Sequence, residues 1–203
     1  MKIVHIETLI SRGAFPDSRE WKRIRKHLHQ AIKAIDWPIG SGWRFSIFPE
    51  SGKKRGKGNG VTPIKRELIA ELTRYGWKPE DRLDLTAVHQ PGKLDAVFYS
   101  KQGPIAFEWE TGNISSSHRA LNKMALGLLK AKLTAGILVV PSRPLYQYLT
   151  DRIGNFAELA PYTDLWKSVP CEFGLLEILV IEHDATSMKV PRIPKGTDGR
   201  ARG

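Results

Sequence analysis

Three carboxylates in this sequence are spaced so that they could act together. Glu108 and Glu110 stand two apart in "PIAFEWETGN", residues 104–113, and Asp95 precedes Glu108 by 13 residues. The stretch reads as a strand, and strand side chains alternate, so both glutamates point to one face while Phe107 and Trp109 point to the other. A hairpin between "LDAVFYS" and "PIAFEWE", joined by "KQG", folds Asp95 back towards them. Three anions at one end of a sheet repel, and they need protons or a cation to coexist. Hard oxygen donors without cysteine suit Mg²⁺ or Mn²⁺. A divalent ion held by few protein ligands polarises a phosphoryl oxygen and acidifies a bound water, which is the chemistry of phosphodiester hydrolysis. Acids on the solvent face of an alternating strand are the plainer account of Glu108 and Glu110 alone; Asp95 beside them favours the metal.

The rest of the composition agrees with a nucleic-acid substrate. Lys and Arg total 32 against 21 Asp and Glu, a formal charge of +11 and a pI near 9.8, which draws polyanions. At 203 residues the chain suits one domain, 1–203, with enough apolar content (41%) and six Trp to bury a core. Cys171 is the one cysteine, so neither an intramolecular disulfide nor a cysteine zinc site is available, which fits a reducing cytoplasm. There is no run of about 18 apolar residues for a membrane span. The histidines His5, His27, His29, His89 and His183 have no ligand spacing.

The elements that must position the acids follow from periodicity. "KIVHIETL" alternates as a first strand. Residues 17–36 read as a helix with Trp21, Ile24, Leu28, Ile32 and Ile35 on one stripe and Lys22, Arg23, Arg25 and Lys26 on the other face. "WRFSIFPE" is expected as a short strand. Residues 51–60, "SGKKRGKGNG", form a flexible basic loop, an arm for a phosphate backbone through Lys53, Lys54 and Arg55, or simply a solvated loop. "TPIKRELIAELTRYGW" is a helix with Thr62 as N-cap, Pro63 in the first turn and Gly76 as its stop. "SSSHRALNKMALGLLKAKL" is a helix capped by one of Ser115 to Ser117, with Leu121, Met124, Leu128 and Leu129 as its buried stripe and His118, Arg119, Asn122 and Lys123 elsewhere. "AGILVVP" is a strand buried on both faces, residues 142–159 a helix then a loop, and "CEFGLLEILVIEHD" a last strand region. Residues 189–203 read as a loose basic tail. The sum is an α/β domain with a central mixed sheet flanked by helices.

An Asp, a strand turn and then E-x-E resembles the signature of the PD-(D/E)XK nucleases, with Glu110 where Lys is commoner. The variant is similar to type II restriction endonucleases of the BglII/BstYI/BamHI group, which carry Glu or Gln there. "TPIKRELIAELTRYGWK", "EWETGN" and "GILVVPSRPLYQYLTDRIGNFAEL" extend the likeness over residues 60–160. The resemblance implies a restriction-endonuclease-like fold and a homodimer cutting a short palindromic duplex, with a GATC core as in the relatives. It implies Asp95 and Glu108 as ligands of Mg²⁺ (or Mn²⁺), joined by Glu110, which or whose metal-bound water positions the attacking hydroxide. A fourth contributor is implied on the helix before Gly76-Trp77; Lys65 falls there, departing from the family's Asn or Glu, with Glu67 its neighbour. Base or phosphate contacts are implied for Asn113, whose amide can pair with adenine, and for Ser115, Ser116, His118, Arg119, Arg143, Arg152 and Asn155. Three rivals remain in view: a repair or junction-resolving nuclease of the same fold, a DNA-binding module without catalysis, and an RNA-binding protein, which would need stacking platforms.

Overall fold

The computed structural model describes residues 1–42, 44–52, 57–85, 92–150 and 153–195. The first strand, β1, runs from Lys2 to Arg12, three residues beyond the alternating run. A 3₁₀ turn leads to α1 (Arg19–Ala34), which Ser18 caps by accepting the Trp21 N–H. The expected strand at 43–50 shrinks to the pair β2 (Ser46–Ile47), which has a two-residue partner, with a single bridge from Phe45 to Trp37 beside it. Helix α2 (Thr62–Arg74) follows, and Thr62 is its first residue instead of its cap: Val61 stands at the cap with no side-chain bond, and Pro63 supplies the start. Gly76, at φ +88°, ends it in the left-handed conformation open to glycine.

The hairpin is as the spacing predicts. After the short β3 (Lys78–Pro79), β4 (Ala96–Ser100) pairs antiparallel with β5 (Gly103–Trp109), Ala96 opposite Phe107. Helix α3 (Ile114–Leu129) is capped by Asn113, whose side chain accepts the Ser116 N–H, not by a serine. It stops four residues short of the run read from sequence. Strand β6 (Ala135–Pro141) is buried throughout. The segment after it holds two single-turn helices, α4 (Arg143–Tyr146) and α5 (Phe156–Leu159), then α6 (Thr163–Lys167). Strands β7 (Gly174–Glu182) and β8 (Ala185–Thr186) complete the chain's regular structure.

Six strands form one mixed sheet in the order β1-β7-β6-β5-β4-β3, with β5, β6 and β7 parallel and β1, β4 and β3 antiparallel to their neighbours. One face packs against α1 and α2 through Trp21, Ile24, Leu28, Leu68, Leu72, Trp77 and Phe107. The other packs against α3 and α6 through Ala106, Leu121, Met124, Leu138, Ile178 and Trp166. Two strand-period stripes are thus buried on opposite faces, which is why β6 reads as an unbroken apolar run and β7 as one interrupted only by buried Glu177 before its last residue.

The basic segments dock at one node. Asn59 is fully buried; its amide donates to Phe48 O and Tyr148 O, each at 2.9 Å, and its carbonyl accepts the Ile193 N–H. The tail is therefore held through residues 191–195, with Ile193 buried and Trp37 Nε1 donating to Pro191 O. Residues 196–203, and Lys53, Lys54 and Arg55 of the loop, lie outside the described residues.

Candidate active site

The hairpin register sets the site. Glu108 is the penultimate residue of β5 and Asp95 immediately precedes β4, so the two meet at one end of the sheet. Their link is direct: the Asp95 N–H donates to Glu108 Oε2 (3.2 Å), and the Trp109 N–H donates to Asp95 Oδ2 (2.8 Å). Two lysines supply the positive charge. Lys65 of α2 donates to Asp95 Oδ1 at 2.6 Å, and Lys123 of α3 donates to Glu108 Oε1 at 2.5 Å. The sheet end is thus gripped from both layers, one ammonium from each.

Glu108 is buried, 6% exposed. Burial pushes its carboxyl up, Lys123 pulls it down and Asp95 pushes it up again. Glu110 follows the end of β5, its N–H donating to Val139 O. Its side chain has no hydrogen bond among the described residues. Burial first, then the charges of Glu108 and Asp95, raise its carboxyl from 4.5 to about 7, against the pull of Lys65 and Arg119. The three acids therefore feel one another, as their spacing suggests. They are not closed into a coordination shell: among the described residues no three His, Cys, Asp or Glu side chains are grouped to hold a metal ion. Lysines and amides occupy the oxygens of Asp95 and Glu108 instead. The donor set still fits a hard divalent cation: three carboxylates, no sulfur or imidazole, and a surplus of negative charge that the ammoniums now balance.

The other sequence-derived candidates separate. Lys65 reaches the acids, whereas Glu67, two residues on, turns to Asp36; burial first and then that carboxylate raise it. Arg119 lies within electrostatic reach of Glu110, with Ser116 Oγ accepting its guanidinium at 3.4 Å. Asn113 and Ser115 are exposed on the turn just past Glu110. His118 faces away, edge-on to Tyr162 and tilted against Trp166. Arg143 is exposed at the C-terminal end of β6, beside the same sheet end. Asn155 is buried and caps α5 by accepting the Ala157 N–H, so its amide is spent inside the fold. Arg152 lies outside the described residues. The loop holding it is tied to the site, because Gly154 N–H donates to Gly112 O at 2.8 Å.

Lys123 is the residue sequence reading missed. It was set apart only as lying off the apolar stripe of α3. With Ser116 and Arg119 it recurs at three and four residues, so one polar line of the helix looks at the end of β5. Glu80 is a second omission: its N–H donates to Asp95 O, and Lys93 holds its exposed carboxyl below the usual range.

The whole chain has relatives of this description. The restriction endonuclease BamHI family model matches residues 1–200. The type II restriction enzyme OkrAI of Oceanobacter kriegii is 46% identical over 201 residues, 99% of each chain. The type II restriction enzyme BamHI of Bacillus amyloliquefaciens is 38% identical over 152 residues, 71% of this chain and 68% of that one. Among solved structures, the restriction endonuclease BglII in complex with a DNA 16-mer superposes with a TM-score of 0.59 at 12% identity, over 95% of this chain and 88% of that one, a likeness of fold. With two helical layers on a mixed sheet and acids gathered at the end of its hairpin, the chain belongs to the BamHI family of restriction endonucleases.

Proposed function

We propose that Asp95, Glu108 and Glu110 form the hydrolytic centre of this type II restriction endonuclease, and that it cuts double-stranded DNA at a short palindromic site with a GATC core. Site-specific cleavage of DNA is the activity of the family, which favours this reading over a structure-specific nuclease, a passive DNA-binding module or an RNA-binding protein. The observation that carries the residue assignment is the electrostatic coupling of Glu110 to Glu108 and Asp95 at a sheet end that two lysines neutralise.

The cofactor of this class is a divalent cation; we take it to be Mg²⁺, with Mn²⁺ able to substitute. Asp95 and Glu108 would hold it, with Glu110 beside them. When bound, it supplies Lewis-acid polarisation of the phosphate and a more acidic water. The protein's own groups do the rest. Lys65 and Lys123 donate to the carboxylates of Asp95 and Glu108 and offset their charge while no cation is present, and Lys65 is placed to turn to a phosphate oxygen. Glu110, with its carboxyl raised to about 7, is suited to take a proton from the attacking water near neutral pH. Asn113, Ser115, Ser116, Arg119 and Arg143 ring this sheet end as candidates for reading bases and phosphates; by sequence alone Lys53, Lys54, Arg55 and Arg152 are further candidates for phosphate contacts.

We further propose a homodimer, since a palindrome presents two equivalent strands to two equivalent sites. Its setting is the cytoplasm; among the described residues no helix is long and apolar enough to cross a membrane. The test is incubation with phage-sized duplex DNA, with Mg²⁺ and with EDTA, beside Glu108→Ala. Discrete, Mg²⁺-dependent fragments that the variant makes at least about a hundredfold more slowly are the expected outcome. A smear would point to a non-specific nuclease, and intact DNA with a salt-sensitive mobility shift to a passive binder.

A further inference from the structure

The candidate site uses few of the protein's surplus cations. Helix α1 carries many of the others: Arg19–Ala34 has six Lys and Arg against one acid, Glu20. Its apolar stripe, Trp21, Ile24, Leu28, Ala31 and Ile32, is buried on the sheet. Every exposed position of the helix is basic or histidine: Arg19, Lys22, Arg23, Lys26, His29 and Lys33. Arg25 turns aside to pair with buried Glu177, and Glu20 accepts the Lys101 N–H. Arg19, Lys22, Arg23 and Lys26 pair with no carboxylate among the described residues.

Folding does not ask for this arrangement. Arg19 with Lys22, Arg19 with Arg23, Lys22 with Lys26 and Arg23 with Lys26 are like-charge neighbours at three or four residues, each unfavourable by a few tenths of a kcal/mol. The first turns of a helix favour anions, yet three of these cations sit there. Helix α2 shows the mixed alternative in the same protein: Lys65, Arg66 and Arg74 alternate with Glu67 and Glu71, and Arg74 pairs with Glu71. A surface that repels itself is relieved by a polyanion.

Its position separates it from the acids. Glu20 meets Lys101 in the turn between β4 and β5, whereas Asp95 and Glu108 lie at the other end of those strands, about 20 Å away along seven residues of β5. From Arg19 to Lys33 the stripe runs about 21 Å, a length over which duplex DNA presents a charge every ~1.7 Å of axis. Its C-terminal end borders a groove of about 530 Å³ between α1 and β1, whose lining is mixed: Lys2, Lys33, His5 and His29 stand there with Asp184 and apolar side chains.

We propose that the outward stripe of α1 is a second, sequence-independent DNA contact, which takes the phosphates of duplex lying outside the site being cut. The inference rests on the reading of DNA as substrate. Bases are not read there; the stripe holds long DNA while the hairpin end of another segment is scanned.

The test is a variant with Arg19→Gln, Lys22→Gln, Arg23→Gln and Lys26→Gln. Glutamine matches Lys and Arg in helix propensity, and all four positions are exposed, so the fold is kept. Binding to a long duplex lacking the cleavage site is measured in EDTA across a salt series. Each phosphate contact contributes about 0.9 to the slope of log affinity against log salt, so the slope is expected to fall by about 2–4. Cleavage of a short duplex carrying the mapped site stays within about twofold, while cleavage of long DNA at low enzyme concentration drops by about tenfold or more. An unchanged slope overturns the proposal. So does an equal loss of affinity in Lys130→Gln/Lys132→Gln and in Arg23→Gln/Lys26→Gln, because net charge alone would then explain it. Loss of short-duplex cleavage in a folded variant also overturns it, by making the stripe part of the cleaving site. A wild-type protein that cuts nothing would sink the enzymatic reading, whereas the EDTA titration would still report on α1.

Discussion

Glu110 is the one acid of the three with neither lysine nor amide on its carboxylate. Its ionisation is therefore opposed by its surroundings, and the sign of the consequence is fixed. The folded carboxyl binds a proton more tightly than the unfolded one, so its cost to stability is absent below about 4.5 and grows as pH rises through about 7. Glu110→Gln removes that cost. In metal-free protein the variant is expected to be more stable than wild type by about 1–3 kcal/mol at pH 8 and nearly equal to it at about pH 4, by denaturant titration at both. A pH-independent difference would mean that Glu110 is not the strained group. Much at this scale was legible in the chain. Spacing alone linked Asp95, Glu108 and Glu110, and the resemblance pointed to Lys65. Lys123 was illegible, because a lysine on a helix surface looks alike in sequence whether it faces water or a buried carboxylate. Asn113 and Asn155 show a related ambiguity: the amide that can read adenine also caps a helix, and both residues cap one here.

Among the elements, long ones announced themselves and short ones did not. The stripes of α1 and α2, that of α3 apart from Leu129, which is 46% exposed at the helix end, and the largely apolar β6 and β7 follow from burial on a known period. Strands β2, β3 and β8 are two residues each, defined by a partner far away in the chain, and no local pattern encodes them. The node around Asn59 was equally hidden, since its neighbours are glycines and lysines that read as free loop. Gly60 lies so close to the tail that a Cβ there would stand 2.0 Å from Pro194 O. Both chain directions lead from the node to the site: forward through Val61 into α2 and Lys65, and through Thr150 towards Gly154 at the turn after Glu110. Asn59→Ala would remove the side-chain partner of Phe48 O and of the Ile193 N–H, while Tyr148 O keeps the backbone N–H of residue 59. A loss of about 2–4 kcal/mol is expected, with faster hydrogen exchange first in residues 191–195, and unchanged exchange there would show that the tail is held by other contacts.

The whole molecule adds the question of copies. Tyr162 and Leu165 expose about half or more of their surface, 51% and 63%, one turn apart beside α3. A homodimer joined through this exposed apolar pair predicts that Leu165→Glu converts a dimer to a monomer in sedimentation and abolishes concerted cutting of both strands; a dimer that persists would move the contact elsewhere. At this scale the sequence supplied the class of sheet and the sign of the charge, but not the order of strands, which only long-range pairing determines. That order leaves β1 as an outer edge eleven residues long. An open edge of that length is a template on which a second chain could add a strand, then a third, without closure. Two irregularities in its pairing, at Ile3/His5 and Thr8/Ile10, twist it, and Lys2, His5, Glu7 and Arg12 stud it with charge. At the opposite edge β3 is only two residues and contains Pro79, which has no N–H to offer. On both rims of its sheet the protein thus carries the means to keep strand pairing from running on into fibrils, and the proposed homodimer would form without that hazard.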